Sequence, residues 1–206
     1  ETWIVKTGTN TYTVSYVSKG KYVAEDVTFE IIVDTIGTTV EFEEIPSLTL
    51  GQTVDITVDV TAADGSTVND GTVTFTDKDG NPISQEYVID VVDGKATVSF
   101  TANKVGSIKI FAKYSDSETY SESEAVTILK SAKAATTLTI DPITATIGQT
   151  VTLTARIENA NDYLSIDEGK VVFKVNGKTI KDENGKVIYV KVVDGVATLE
   201  YEVPES

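Results

Sequence analysis

Hydrophobic residues in this chain recur at every second position in short runs, and glycine and aspartate break the runs. Thr53–Thr61 (TVDITVDVT) places Val54, Ile56, Val58 and Val60 on one face. Such alternation marks a half-buried β-strand. Thr72–Thr76 reads as a second strand. Tyr87–Val92 and Ala96–Phe100 are two more. Asp93-Gly94 between them is a two-residue hairpin signal, because glycine adopts the positive φ that such a turn needs. Gly106–Tyr114 alternates Ile108, Ile110, Ala112 and Tyr114, and Ser123–Lys130 is the last strand of the set. Asp77-Lys78-Asp79-Gly80-Asn81-Pro82 is a turn cluster.

The pattern then repeats. Thr38–Phe42 (TTVEF) matches Thr136–Ile140 (TTLTI), and Gly51–Ile56 (GQTVDI) matches Gly148–Leu153 (GQTVTL). Gly71–Phe75 (GTVTF) matches Gly169–Phe173 (GKVVF), and Val91–Val98 (VVDGKATV) matches Val192–Leu199 (VVDGVATL). The offset grows from 97–98 to 101, which places a small insertion around Asn176–Gly185. A period of roughly 100 residues is too long for a solenoid and suits a β-sandwich of the immunoglobulin type. The fold class is therefore all-β, as tandem immunoglobulin-like β-sandwich repeats. Residues 36–131 read as one complete repeat. Residues 132–206 read as a repeat lacking its last two strands. Tyr12, Val14, Tyr16 and Tyr22 align with Ile110, Ala112, Tyr114 and Tyr120 at a constant offset of 98, so residues 1–35 read as the last two strands of a preceding repeat.

Composition agrees. Thr, Val and Ile number 31, 28 and 18, against 7 Leu and no Met, a bias toward strands and away from helix bundles. Cys and His are both absent, which excludes disulfides, cysteine-based zinc sites, cysteine nucleophiles and Ser-His-Asp triads. The net charge of −15, with Arg156 the one arginine, repels phosphate backbones and anionic lipid. Nucleic acid is excluded as a partner on that ground. No apolar run reaches the roughly 20 residues of a membrane-spanning helix, so no membrane insertion is expected of this fragment. The first residues (ETWIVKTGTN) lack the basic and apolar regions of a signal peptide. The chain reads as a piece of something longer.

The third repeat carries the most specific likeness. Gly169–Lys178 (GKVVFKVNGK) leads into Asp182–Tyr189 (DENGKVIY) and ends in Val193–Leu199 (VDGVATL). Together with Tyr114…Tyr120-Ser121 and Tyr16…Tyr22, this resembles the bacterial-type immunoglobulin-like repeats of large surface adhesin-like proteins, especially those of methanogenic archaea. The resemblance implies a non-catalytic cell-surface or extracellular protein made of tandem domains, working as a stalk, an adhesion module or both. Its partners would be other cells or surface polymers. A carbohydrate-binding module recognising a cell-wall or plant polymer is the alternative, which an exposed row of aromatics on one face would favour. A calcium-stiffened spacer is a third reading.

Individual residues give no assigned site: catalytic, cofactor-binding and metal positions are all none, and no cofactor is expected. Asp77, Asp79 and Asn81 place oxygens at alternate positions, as a calcium loop does, but Lys78 interrupts them and Val88 stands where a bidentate Glu is needed. A plain turn fits these residues better, and Asp182-Glu183-Asn184-Gly185 follows suit. Glu41, Glu43, Glu44, Asp64 and Asp70 could gather calcium between domains, against the commoner reading of a solvated acidic surface. Tyr12, Tyr16 and Phe29 are expected in a core, and Trp3 on the surface. Tyr120, just before the last strand, is expected to pack its ring and bond its hydroxyl to backbone, like the tyrosine corner of Ig folds. The strands used for intramolecular isopeptide bonds in surface Ig domains lack the reactants here: Thr38–Phe42 has no Lys, and Ser123–Leu129 has no Asn or Gln. No Asn-x-Ser/Thr sequon occurs.

The two end fragments are expected to complete each other. Open sheet edges recruit strands. Residues 1–35 run straight into the first strand of the middle domain, and the third repeat starts after its last. Those points are about 35–40 Å apart for strands of about ten residues, whereas a linker near Asp34–Thr38 spans at most about 18 Å. Head-to-tail self-association between chains is the reading that follows.

Overall fold

In a computed structural model, residues 5–159 and 165–204 are described. They form strands and connections, with no helix among them. They fall into two compact units, one built mainly on residues up to Ser131 and the other mainly on residues from Ala132 onward.

The first unit opens with a hairpin of β1 (Gly8–Val14) and β2 (Val27–Val33), a two-stranded sheet by itself. Then come β3 (Thr38–Phe42), β4 (Leu48–Thr49), β5 (Thr53–Ala62), β6 (Thr72–Asp77), β7 (Val88–Asp90), β8 (Lys95–Thr101), β9 (Gly106–Ser115) and β10 (Ser123–Ala132). These eight strands make two sheets, of order β3-β5-β8 and β4-β10-β9-β6-β7. The chain passes back and forth between the sheets, with β6-β7 and β9-β10 as antiparallel neighbours within the larger one, as in an immunoglobulin-like sandwich.

Alternation does the folding. In β8, Ala96, Val98 and Phe100 are buried while Lys95, Thr97, Ser99 and Thr101 face solvent. Val98 stands opposite Ile56 and Ala96 opposite Val58 on β5. The buried side chains of both sheets fill the interior. Threonine has a role on the outer face, where hydroxyls pair across strands: Thr53 with Thr101 at 2.8 Å and Thr57 with Thr97 at 2.9 Å.

The Asp93-Gly94 turn forms with both residues at positive φ, 51° and 74°. Here the structure departs from the hairpin expected. β7 and β8 belong to different sheets, and only Val92 and Lys95 bridge across the turn. It is a corner that carries the chain from one layer to the other. Periodicity reports which residues face inward but not which sheet they line.

The second unit contains β11 (Thr136–Ile140), β12 (Thr150–Asn159), β13 (Lys170–Val171), β14 (Lys174–Val175), β15 (Lys178–Thr179), β16 (Val190–Lys191) and β17 (Val196–Glu202). The sheet β11-β12-β17 reproduces β3-β5-β8: Leu153 faces Leu199 and Ala155 faces Ala197 where Ile56 faces Val98 and Val58 faces Ala96. β13 pairs with β16 as β6 pairs with β7. The β14-β15 hairpin, turning through Asn176-Gly177 at positive φ, accounts for the insertion between the repeats.

Candidate functional site

Of the residues weighed as ligands, Asp77 is the clearest case. Its Oδ1 accepts hydrogen bonds from the backbone N–H of Asp79 at 2.8 Å and of Asn81 at 2.9 Å, and its Oδ2 accepts one from Asn81 Nδ2 at 3.1 Å. The carboxylate is committed to holding its own turn. The Asn81 amide, then the two backbone donors, hold the Asp77 carboxyl below the usual carboxylate range. Lys78 pairs with Asp79. Asp182 repeats the device, accepting from Asn184 N at 2.9 Å and Lys186 N at 2.8 Å.

Three of the acidic residues weighed for calcium, Glu43, Asp64 and Asp70, are likewise occupied. Lys95 Nζ bridges Asp59 and Glu43 across the outer face of β3-β5-β8. These two partners, Asp59 foremost, push the Lys95 ammonium up to about 12. Asp64 accepts from the Ser66 hydroxyl and N–H, which lowers its carboxyl. Asp70 accepts from Ser117 Oγ at 2.6 Å. Among the described residues, no group of three acidic side chains is placed to hold a metal ion.

The tyrosine expectation needs correcting. Tyr120 is half-buried, and its hydroxyl meets Ser66 Oγ at 3.1 Å, not backbone. The residue that fits the description is Tyr114, at the end of β9. It is fully buried and its hydroxyl donates to the Asp70 carbonyl at 2.9 Å. Burial pushes its phenol up, while the Ser117 hydroxyl pulls the other way. Sequence reasoning ranked Tyr120 first because that position recurs as Tyr22, yet Tyr114 recurs equally as Tyr16. Its place at the end of an alternating buried run was the available signal.

The aromatic residues of the hairpin also depart from expectation. Tyr12 and Phe29 stack at 5.3 Å, but Phe29 and Tyr16 are exposed, at 46% and 53%, and are in no core. The reason lies in the register. All seven β1-β2 pairs, from Gly8 with Val33 to Val14 with Val27, equal pairs of β9 and β10 at an offset of 98. The hairpin thus presents the face that β9 and β10 bury, and among the described residues no further strand pairs with it. Trp3 lies outside the described residues.

A groove of about 300 Å³ runs between Phe42–Ser47 and Thr127–Lys130 in the middle domain. It is half-open, and Glu43 at its side is already held by Lys95.

Two comparisons bear on the class. The fold defines an Ig-like β-sandwich protein, and domains of this class are in general non-catalytic. Residues 43–129, from just after β3 into β10, match the family of the bacterial Ig-like domain (group 3), which supports a bacterial-type Ig-like repeat in the middle of the chain. Comparison with curated proteins finds no match. Among solved structures, a conjugative transposon lipoprotein from Bacteroides eggerthii is 17% identical over 45% of this chain and 95% of its own, with a TM-score of 0.34. The I9-I11 tandem from titin is 14% identical over 98% of this chain and 67% of its own, at 0.38. Domains 1-6 of the surface layer protein SbsC are 18% identical over 98% of this chain and 30% of their own, also at 0.38. Likeness at that level carries no argument about function. A tie to archaeal surface proteins has no support in these matches.

Proposed function

We propose that this chain is a stretch of a non-catalytic cell-surface protein whose Ig-like repeats work as stalk and adhesion modules. The observation that carries the reading is where the chain passes through the middle domain. It comes in at Ile36, whose N–H donates to Thr119 O and whose carbonyl accepts from Ser121 N, both at 2.9 Å. It leaves after Ser131, at the far end of β10, about 30 Å away at 3.4 Å per residue. A domain threaded from end to end transmits tension along its strands and adds length to a tether.

The filled interior supports the same reading. The outer face of β3-β5-β8 carries Thr pairs and the Lys95 ion pairs, and it offers no row of aromatic rings to a sugar polymer. Labelling intact cells with antibody to residues 36–131, beside a whole-cell and glycan binding panel, tests the proposal. Labelling without lysis, with binding to whole cells or to none of the probes, fits a surface stalk. Labelling only after lysis overturns it, and saturable binding of one soluble glycan favours the carbohydrate-binding alternative.

A further inference from the structure

We propose that the outer face of the third repeat, centred on Lys170, Lys191 and Tyr189, docks an acidic polysaccharide, one that carries carboxylates along its length. The choice of a glycan rests on the cell-surface reading above. The face is defined by how the two repeats differ.

In the middle repeat, Thr72 on β6 pairs with Asp90 on β7, and Thr74 with Val88. Repeat alignment puts Lys170, Lys191, Val172 and Tyr189 at those four places. Accordingly β13 and β16 pair Lys170 with Lys191, and Val171 with Val190. Val171 and Val190 pack on the core. Strand alternation then turns Lys170, Val172, Tyr189 and Lys191 outward. Like charges directly opposite one another on paired strands are destabilising. The middle repeat avoids that cost with a threonine and an aspartate. A pair that breaks a local rule, where the sister repeat keeps it, is expected at a functional site.

The surroundings add to the charge. The stretch 170–191 holds six lysines (Lys170, Lys174, Lys178, Lys181, Lys186 and Lys191) against two acids, Asp182 and Glu183, in a chain of net charge −15. All six lysines are exposed, and among the described residues none makes an ion pair. The Asp182 carboxylate is committed to the backbone N–H groups of Asn184 and Lys186.

The layout suits an acidic sugar chain. Tyr189 is 63% exposed, and Lys170 Nζ lies 5.8 Å from the centre of its ring. Val172 is half-exposed beside it, and Lys174 stands about 13 Å further along the strand from Lys170. A uronate residue has an apolar C–H face to lay on the tyrosine and a carboxylate at its edge to meet Lys170 or Lys191. A later carboxylate of the same polymer reaches Lys174. A lysine ammonium is a point charge on a flexible stem, so it accepts a carboxylate from many directions. Single-stranded nucleic acid stacks successive bases on several rings. Tyr189 is the one exposed aromatic among the described residues of the third repeat. Binding of this kind follows the polymer's charge, not the shape of one sugar, and weakens with salt.

The full chain is tested on immobilised polygalacturonate, with dextran and a single-stranded oligothymidylate as the other probes, at low and at high salt. Lys170→Gln/Lys191→Gln removes the paired charges. Lys104→Gln/Lys133→Gln makes the same change of charge at exposed lysines elsewhere and is the control. Lys191→Asp gives the pair opposite signs. The proposal expects salt-sensitive retention on polygalacturonate and none on dextran. Lys170→Gln/Lys191→Gln should weaken it about tenfold, and the control about twofold at most. Lys191→Asp should lose binding with a melting temperature no lower than the parent's, since opposite charges replace like ones, which separates a lost contact from a lost fold. No retention on polygalacturonate, equal weakening by the two double variants, or tighter retention on the oligothymidylate overturns the proposal. So does a Lys191→Asp variant that melts below the parent. None of these results touches the surface-stalk reading, which the cell-labelling experiment decides separately.

Discussion

The Tyr114 hydroxyl donates to the Asp70 carbonyl at 2.9 Å, tying the end of β9 to the residue that leads into β6. The ring is fully buried, so the bond is shielded from water and ties two neighbouring strands of one sheet at their edge. Tyr114→Phe leaves that carbonyl without its partner and should cost about 1–3 kcal/mol. Tyr114→Ala should cost about 3–5 kcal/mol. Tyr120→Ala, at a half-buried position, should cost less, about 1–2 kcal/mol. Urea titrations of the three variants check the order, and an equal loss at positions 114 and 120 would contradict it.

Gly71 makes the Tyr114 contact possible. At φ 78° a Cβ there would lie 2.6 Å from Ser115 O and 2.7 Å from the Tyr114 ring. Gly80 has nearly the same φ, 80°, with open space around it. Gly80→Ala should therefore show only the left-handed backbone penalty, about 1–2 kcal/mol. Gly71→Ala adds overpacking and should cost about 2–4 kcal/mol. Denaturation midpoints of the pair isolate the close approach, since the backbone term is shared.

Stability should fall at both ends of the pH scale. Lys95 titrates near 12 in the folded chain against 10.5 ordinarily, and the Tyr114 phenol is raised above 10.0. Both groups hold their protons more tightly when folded. Their contributions are complete below about pH 10 and are lost as pH climbs through the folded values. Asp64, Asp77 and Asp167 are lowered below 3.8 by hydrogen bonds, so their contributions are present above that pH and vanish as it falls through the folded values. Melting temperatures across the range measure this. Lys95→Met should remove part of the alkaline loss and leave the acid limb unchanged.

Calcium should not stabilise the Asp77–Asn81 turn, because the turn's own N–H groups fill the carboxylate. Asp77→Ala should lower the melting temperature equally with calcium and with chelator. A melting point that rises with calcium and returns with chelator would reinstate the loop as a metal site.

Much of this was legible in the sequence, for a definite reason. A two-residue period tells which side chains face inward, and β5, β8 and β9 show it almost without error. Repeat alignment adds register, because paired strands keep their partners when both shift by one offset. Other features stay hidden. Asp93-Gly94 announces a turn, but whether the next strand rejoins the same sheet depends on what covers the other face. β4 is two residues long and too short for any period, though Leu48 is buried. Tyr114 and Tyr120 both recur between repeats, and only three-dimensional packing shows which ring is sealed. The exposure of Tyr16 and Phe29 escapes a residue-level reading too, since their pattern is that of a core strand.

The account rests on one contrast among the described residues: the middle repeat closes over a core of eighteen buried hydrophobic side chains, while the β1-β2 hairpin pairs with no further strand and the core of the third repeat holds four. Amide hydrogen exchange on the whole chain in dilute, monomeric solution tests it most directly. The account predicts that β5, β6, β8 and β9 exchange only through global unfolding, whereas β1, β2 and residues 170–175 exchange far faster through local opening. Uniform protection of all these segments in the monomer would contradict it.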